Sequence, residues 1–446
     1  MTHGRQLTRE IFRDTLAALD IPRVIELKLT LAGSILTLED TAIDLSAYSA
    51  LFVVAIGKAA HAMAAGLRSF LPDSYPFKGV VAAPTKTAAP VPGLAYFVAG
   101  HPNPNEHSWL AAEAIIALLR GTNERSVVFF LLSGGGSALT ELPIVPGMCL
   151  EDLQAANHAL VTCGAPIEAM NTVRRHLSAI KGGRLAVAAA RATKLTLAVT
   201  DVPVGKEHAL ASGPTVPDPS TVADTIRIID QYGLRKKFPD VLVRWLDGGK
   251  MPETPKPGDP FFRRVTTRIV GSNRLTVEAA ARKARTLGFR PVILTTRLEG
   301  EAREVARVLV AILRECVEDN RPGAPPLCLL CGGETTVTVL GSGRGGRNQE
   351  LAVAAVPALS EFPGPALLAS LATDGVDGMS DGAGGVVDEK TLAQAAALGL
   401  APPSAFLKAS DSRNFLGPVG GLILTGPTGT NVVDLTILLA PRPRRR

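Results

Sequence analysis

The chain has 446 residues, 46% of them hydrophobic and 20% charged, with a mean hydropathy of +0.21. These values exclude a wholly disordered chain, and the length implies two domains rather than one core. The formal net charge is +6, but Arg442, Arg444, Arg445 and Arg446 supply four of those units, and aromatic residues make up only 4%; no nucleic-acid footprint is expected.

The first 23 residues alternate charged and apolar side chains and lack the apolar core of a secretory signal. They read as an amphipathic helix capped by Thr8, with Ile11, Phe12, Leu16 and Leu19 near one face. No uncharged apolar run reaches the length of a membrane span, so a soluble cytoplasmic protein is expected. After Tyr48 short apolar runs alternate with Ala- and Leu-rich helical stretches. Residues 51–56 (LFVVAI), 126–132 (SVVFFLL) and 194–200 (KLTLAVT) read as buried strands, and 59–70 as a helix. Strands alternating with helices predict a parallel sheet covered on both faces.

Residues 247–260 (DGGKMPETPKPGDP) read as a linker, rich in Pro and Gly without periodicity. That places domains at 1–246 and 261–446. A second βα series follows. Residues 267–270 and 291–296 read as strands, and a helix is expected near 301–314. Residues 327–331 and 335–340 flank Gly332-Gly333-Glu334 and are expected to pair as a hairpin. Residues 367–373 read as another buried strand. Cys328 and Cys331 lie in an apolar run with no second pair and no nearby His, so core thiols rather than zinc ligands are expected.

Chemistry gathers where the strands end. LFVVAI runs into Gly57-Lys58, SVVFFLL into Ser133-Gly134-Gly135-Gly136-Ser137, KLTLAVT into Asp201, and LLASLAT into Asp374. Open parallel sheets bind ligands beyond the carboxyl ends of their strands. The Ser133–Ser137 loop, leading into a helical stretch, exposes backbone N–H groups to a phosphate or makes a tight turn. Gly341–Gly346 fits G-x-G-x-x-G, but no acidic residue is well placed about 20 residues on. No G-x-x-x-x-G-K-[ST] run occurs. Lys58 can set a compact positive charge against a phosphoryl group or a carboxylate. On a helix Arg174, Ser178 and Lys181 share one face, an anion-facing stripe or a solvated basic one. His101-Pro102-Asn103-Pro104 reads as a rigid loop entrance, and neither His101 nor His107 has a metal-ligand companion. Asp201 and Asp374 end buried strands and are candidates for a metal contact or a base, whereas Asp377 and Asp381 read as turn formers.

At these residues the sequence resembles the class II glycerate kinases, the glycerate 2-kinases with a C-terminal MOFRL domain. The matching segments are AIGKAA (55–60), GHPNPNEHS (100–108), SGGGSAL (133–139), NTVRRHLSAIKGGRLA (171–186), TDVP (200–203), ASGPT (211–215), GSN (271–273), GGET (332–335), GGRNQELA (345–352) and ATDGVDGMSDGAGG (372–385). LKASDSRNFL and GPTGTNVVDL (407–416, 426–435) extend the likeness toward the C-terminus. One departure is Val204-Gly205-Lys206-Glu207, where the family often has an acidic pair.

The resemblance implies ATP-dependent phosphorylation of D-glycerate at its 2-hydroxyl with a divalent cation such as Mg²⁺. It implies an α/β fold of two domains: an N-terminal Rossmann-like three-layer α/β/α domain and a C-terminal α/β domain with a mixed sheet. The active site is expected in the interdomain cleft. Lys58 and Arg347 correspond to the family's proposed catalytic pair, and Asp374 to the aspartate of its ATDG motif. The expected roles follow: Ser133, Gly134, Gly135, Gly136 and Ser137 cradle ATP phosphates; Arg174 or Lys181 holds the glycerate carboxylate; Asp201 or Asp374 holds the metal; and Asp374 accepts the hydroxyl proton. The expected partners are small molecules, with no nucleic acid or membrane, in a monomer or homodimer. Two rival readings stay open, an NAD(P)-dependent hydroxypyruvate reductase resting on Gly341–Gly346 and a non-catalytic anion-binding protein.

Overall fold

The structure is a computed structural model of the chain, and it describes residues 3–200, 207–426, 428 and 432–441. It divides into two compact units, Ile21–Val270 and a second made of Met1–Asp20 with Gly271–Arg446. The expected boundary at 247–260 therefore moves. Residues 218 and 254–255 explain why: Thr254 donates to the buried Asp218 carboxylate at 2.9 Å, and Asp218 N–H donates to Pro255 O at 2.9 Å. Those bonds pin the Pro-rich segment to the first unit.

The first unit begins with a small antiparallel sheet of β1 (Leu29–Ala32), β2 (Ile35–Leu38) and β3 (Thr41–Asp44). Its main sheet holds β4 (Ala50–Ile56), β5 (Phe77–Ala83), β6 (Leu94–Val98), β7 (Ser126–Ser133), β8 (Thr193–Thr200) and β9 (Val265–Ser272). Their spatial order is β6-β5-β4-β7-β8-β9, and the pairings from β6 through β8 are parallel. The chain moves outward one way from β4 and returns to build the other way from β7. The reversal between β4 and β7 is the topological switch point, where such sheets open a crevice for ligands.

Both central strands are apolar throughout because both faces are covered. Phe52, Val54, Ile56, Val128, Phe130 and Leu132 pack with Ala112, Ile115 and Leu119 of helix Glu106–Arg120. The alternate residues Val53, Ala55, Phe129 and Leu131 are equally buried on the opposite face. Asn105 and Ser108 cap the start of that helix reciprocally, at 3.0 and 3.1 Å.

The second unit is a six-stranded mixed sheet in the order β10-β11-β15-β12-β13-β14. These are Arg290–Leu298, Leu327–Gly333, Asp434–Ala440, Leu367–Ala372, Gly384–Asp388 and Leu422–Ile423 in that spatial order. Only the β10–β11 pair is parallel among these pairings. One face carries helices Ala302–Glu318 and Arg347–Ser360, the other helices His3–Ala18 and Asn273–Thr286.

Several expectations are corrected. The opening helix already includes His3, so Thr8 does not cap it; Thr8 is buried within it and donates back to Gly4 O at 3.1 Å. Ile11 and Phe12 do face the core, but that core is the second unit's. The hairpin across Gly332-Gly333-Glu334 does not form. β11 is flanked instead by β10 and by the C-terminal strand β15, and residues 337–340 are irregular. No strand therefore leads into Gly341–Gly346, which removes the strand–turn–helix context that the dinucleotide fingerprint needs. Its glycines serve close packing: a Cβ at Gly346 would meet Asp377 at 2.4 Å. Cys328 and Cys331 lie in the cores on opposite faces of β11, and burial pushes both thiols up, Cys331 to about 12. Among the described residues no helix is long and apolar enough to cross a membrane.

Candidate active site

In the first unit three loops meet at the switch point. Gly57, at φ +128°, turns the chain out of β4, and a Cβ there would lie 2.1 Å from Ser133 Oγ. The close approach lets Lys58 N–H donate to Gly134 O at 3.0 Å and Ala59 N–H donate to Ser133 Oγ at 3.0 Å. The two strand ends are thus stitched together. Lys58 itself is exposed, and its ammonium makes no hydrogen bond or ion pair among the described residues. Gly135, at φ +84°, turns the loop into the short helix Gly136–Leu139. A side chain at Gly135 would place Cβ 3.0 Å from the His101 ring and 3.5 Å from Lys58 Cγ. Ser137 Oγ bonds Ser212 Oγ at 2.9 Å.

The predicted stripe of Arg174, Ser178 and Lys181 is not a single helical face. Helix Ile167–Leu177 ends before Ser178. Arg174 is half-buried, and burial lowers its pKa. It donates to Asn157 Oδ1 at 2.9 Å and to Asn171 Oδ1 at 3.4 Å, both neutral amides, so its charge is oriented without being neutralised. Asn171 Oδ1 also lies 3.5 Å from Ser212 Oγ, which links Arg174 back to the glycine loop through Ser137. Lys181 is the correction. It is 1% exposed and ion-paired with Glu141, whose other oxygen accepts from Ser178 Oγ at 2.6 Å. Burial pushes the Lys181 pKa down, to about 7. This cation is committed inside the fold and does not join Arg174 at an anion-facing surface.

In the second unit the register sets the geometry. Asp434, the first residue of β15, stands opposite both Gly333 of β11 and Ala372 of β12. Glu334, Asp374 and Asp434 therefore share one end of the sheet. Arg347 opens helix Arg347–Ser360 at that end. Its Nε and Nη2 donate to the two Asp434 oxygens, and Nη2 also reaches Glu334 Oε1 at 2.8 Å. Burial alone would lower the Arg347 pKa; Asp434, Glu334 and Asp377 outweigh it and raise it. Nη1 carries no hydrogen bond among the described residues.

Asp377 is not a simple turn former. It is 1% exposed, and its carboxylate accepts from the backbone N–H groups of Asn348 and Gln349 at 3.1 and 2.8 Å. A buried carboxylate thus caps the helix that presents Arg347, with the favourable dipole of an anion at an N-terminus. Asp381 is a surface partner, accepting two hydrogen bonds from Arg413 at 2.9 Å each. Asp374 is half-buried and forms the turn here: its Oδ1 accepts from Val376 N–H at 3.1 Å, leaving Oδ2 without a partner among the described residues. One free carboxylate oxygen suits a divalent cation that keeps most of its waters and takes its other ligands from phosphate. No cluster of three His, Cys, Asp or Glu suited to a metal occurs among the described residues. Asp201 lies outside them, as do the arginines of the C-terminal tail.

The family described as a domain of unknown function (DUF4147) matches residues 7–247, and the MOFRL family matches residues 327–434. The chain is 40% identical to the D-glycerate 2-kinase of Thermotoga maritima over 385 residues, 86% of this chain and 89% of that protein. A crystal structure of glycerate kinase from the same organism superposes with a TM-score of 0.86 at 37% identity, covering 97% of this chain and 98% of that one. The chain belongs to the glycerate kinase family. An Agrobacterium vitis relative, 41% identical over 87% of this chain and 86% of its own length, carries a provisional name as a hydroxypyruvate reductase.

Several residues that hold these candidate side chains were not singled out from sequence. Asn157 and Asn171 orient Arg174, yet amides on helices carry no distinctive pattern. Asp434 holds Arg347, and its signal was available: an acid opening the apolar run DLTILLA needs a cationic partner. Gly332 is explained by Asn273 of the GSN segment, whose side-chain amide would lie 2.0 Å from a Cβ there.

Proposed function

We propose that this chain transfers the γ-phosphoryl group of ATP to the 2-hydroxyl of D-glycerate, giving 2-phosphoglycerate and ADP. The observation that carries the reading is the Lys58 ammonium, without a partner among the described residues, beside the Ser133–Ser137 loop at the β4–β7 switch point. Family membership supplies the substrate class.

In this reading the backbone N–H groups of the loop hold ATP phosphates. Lys58 offsets the charge that develops on the transferring phosphoryl, which is where most catalysis of this kind resides, and Arg347, whose Nη1 has no hydrogen bond among the described residues, is the second cation assigned to the reaction. Arg174, held open by Asn157 and Asn171, takes the glycerate carboxylate through paired hydrogen bonds. Asp374 or Asp201 would hold a divalent cation, which would shield phosphate oxygens. The free thiols Cys149, Cys163, Cys316, Cys328 and Cys331 suit a reducing cytoplasm.

An assay with ATP, Mg²⁺ and D-glycerate should release ADP in proportion to D-glycerate supplied, with no turnover of L-glycerate at matched concentration. Hydroxypyruvate with NADH or NADPH should leave the absorbance at 340 nm unchanged. A steady loss of that absorbance without ADP release would replace the kinase reading with the reductase one.

A further inference from the structure

We propose that His101 is a further catalytic residue of this site, the acceptor of the proton that the glycerate 2-hydroxyl loses on attack. The inference rests on the kinase reading and deepens it.

Three sequence segments far apart in the chain, GK (57–58), HPNP (101–104) and SGGGS (133–137), converge on one point. Gly135 is the hinge of that convergence. The place its missing Cβ would occupy is 3.0 Å from His101 Cδ2, 3.2 Å from Nε2 and 3.5 Å from Lys58 Cγ. The imidazole and the lysine stem therefore lie together against the loop assigned to the phosphates. Neither ring nitrogen of His101 has a hydrogen-bond partner among the described residues. By contrast His176, which is buried, is tied to Thr172 O at 3.0 Å, whereas the His101 side chain is exposed.

The charge state suits the role. Burial, then the positive charge of Lys58, lowers the His101 pKa below its ordinary value. The glycine loop brings no charge against the ring, so Lys58 is the ionised group that faces it. His101 is therefore neutral at pH 7 and has a lone pair to offer. The same Lys58 that favours neutral imidazole also offsets the incoming phosphoryl charge. Asp374, the base expected from sequence, already spends Oδ1 on the turn to Val376.

In the step, the glycerate O2–H proton passes to the His101 imidazole as the bond from O2 to the γ-phosphorus forms. The bond from the γ-phosphorus to the bridging oxygen breaks, and its electron pair leaves on ADP. The imidazolium then releases its proton to solvent.

The test uses the full chain carrying His101→Gln or His101→Ala, with kcat and KM measured from pH 5 to 9. In the wild type, kcat should fall on the acid side with an apparent pKa below about 6.5. Both variants should lose about 10²- to 10⁴-fold in kcat with KM changed little, and that acid limb should vanish. Imidazole added to the His101→Ala protein should restore part of the rate, which a merely structural defect would not show. Asp374→Asn should keep the acid limb, whatever it does to the rate. A His101→Gln protein with kcat within threefold of wild type and the same acid limb overturns the proposal while leaving the kinase reading intact. A wild type that makes no 2-phosphoglycerate overturns both.

Discussion

At the edge of the first unit Lys58 has no counter-ion among the described residues, and Arg174 is held by the neutral amides of Asn157 and Asn171. At the edge of the second, Arg347 is clasped by Asp434 and Glu334. All three cations belong to segments shared with the same family, and sequence pairs Lys58 with Arg347 while giving Arg174 to the carboxylate. Their surroundings divide them differently. Lys58 and Arg174 have no carboxylate partner among the described residues. Arg347 is partly neutralised, so it offers a fixed N–H direction more than a free charge, and it also satisfies a carboxylate that is only 5% exposed.

The comparison separates stability from activity. Arg347→Ala should have the largest effect, abolishing turnover and also costing about 3 kcal/mol of stability, because it strands Asp434. That figure sits at the low end for an orphaned buried charge, since Arg347 is about one-third exposed. Adding Asp434→Asn should return most of the lost stability and none of the activity, read by thermal melting beside the kinase assay. An Arg347→Ala protein that melts with the wild type would erase the distinction drawn between the two edges.

Lys58→Ala should lower kcat by about 10²- to 10³-fold, the usual loss when one electrostatic donor is removed. Its denaturation midpoint should stay within about 0.5 kcal/mol of wild type, because no partner is orphaned. A large drop in stability would reveal a counter-ion for Lys58. Arg174→Lys should have the smallest effect, raising KM for D-glycerate about tenfold through loss of the planar two-point contact. KM for ATP should change little. If KM for ATP rises instead, Arg174 serves the nucleotide.

The architecture was legible because buried strands have an unambiguous signature. The segments 51–56, 126–132 and 194–200 lie in strands, as does 367–373 up to Ala372, and the Ser133–Ser137 glycine loop follows its strand. The failures were long-range. Residues 335–340 alternate like a strand, but the C-terminal strand β15 occupies the edge of β11 that a hairpin would have used. The linker at 247–260 looked free because its Pro content hides that Thr254 and Pro255 bond Asp218, more than 30 residues away. Lys181 looked like a surface cation because Glu141, its partner, is 40 residues distant. Asp377 looked like a turn former, but in ATDGVDG its buried carboxylate caps a helix while Asp374 makes the turn with one oxygen, which only the fold reveals.

The central claim is phosphoryl transfer to the 2-hydroxyl of D-glycerate, assisted by Lys58. Phosphorus NMR of a reaction holding ATP, Mg²⁺, D-glycerate and enzyme tests both parts at once. The account predicts a 2-phosphoglycerate resonance growing in step with ADP for the wild type, and growing at least a hundredfold more slowly for Lys58→Ala. A 3-phosphoglycerate resonance, or equal rates from the two proteins, would contradict it.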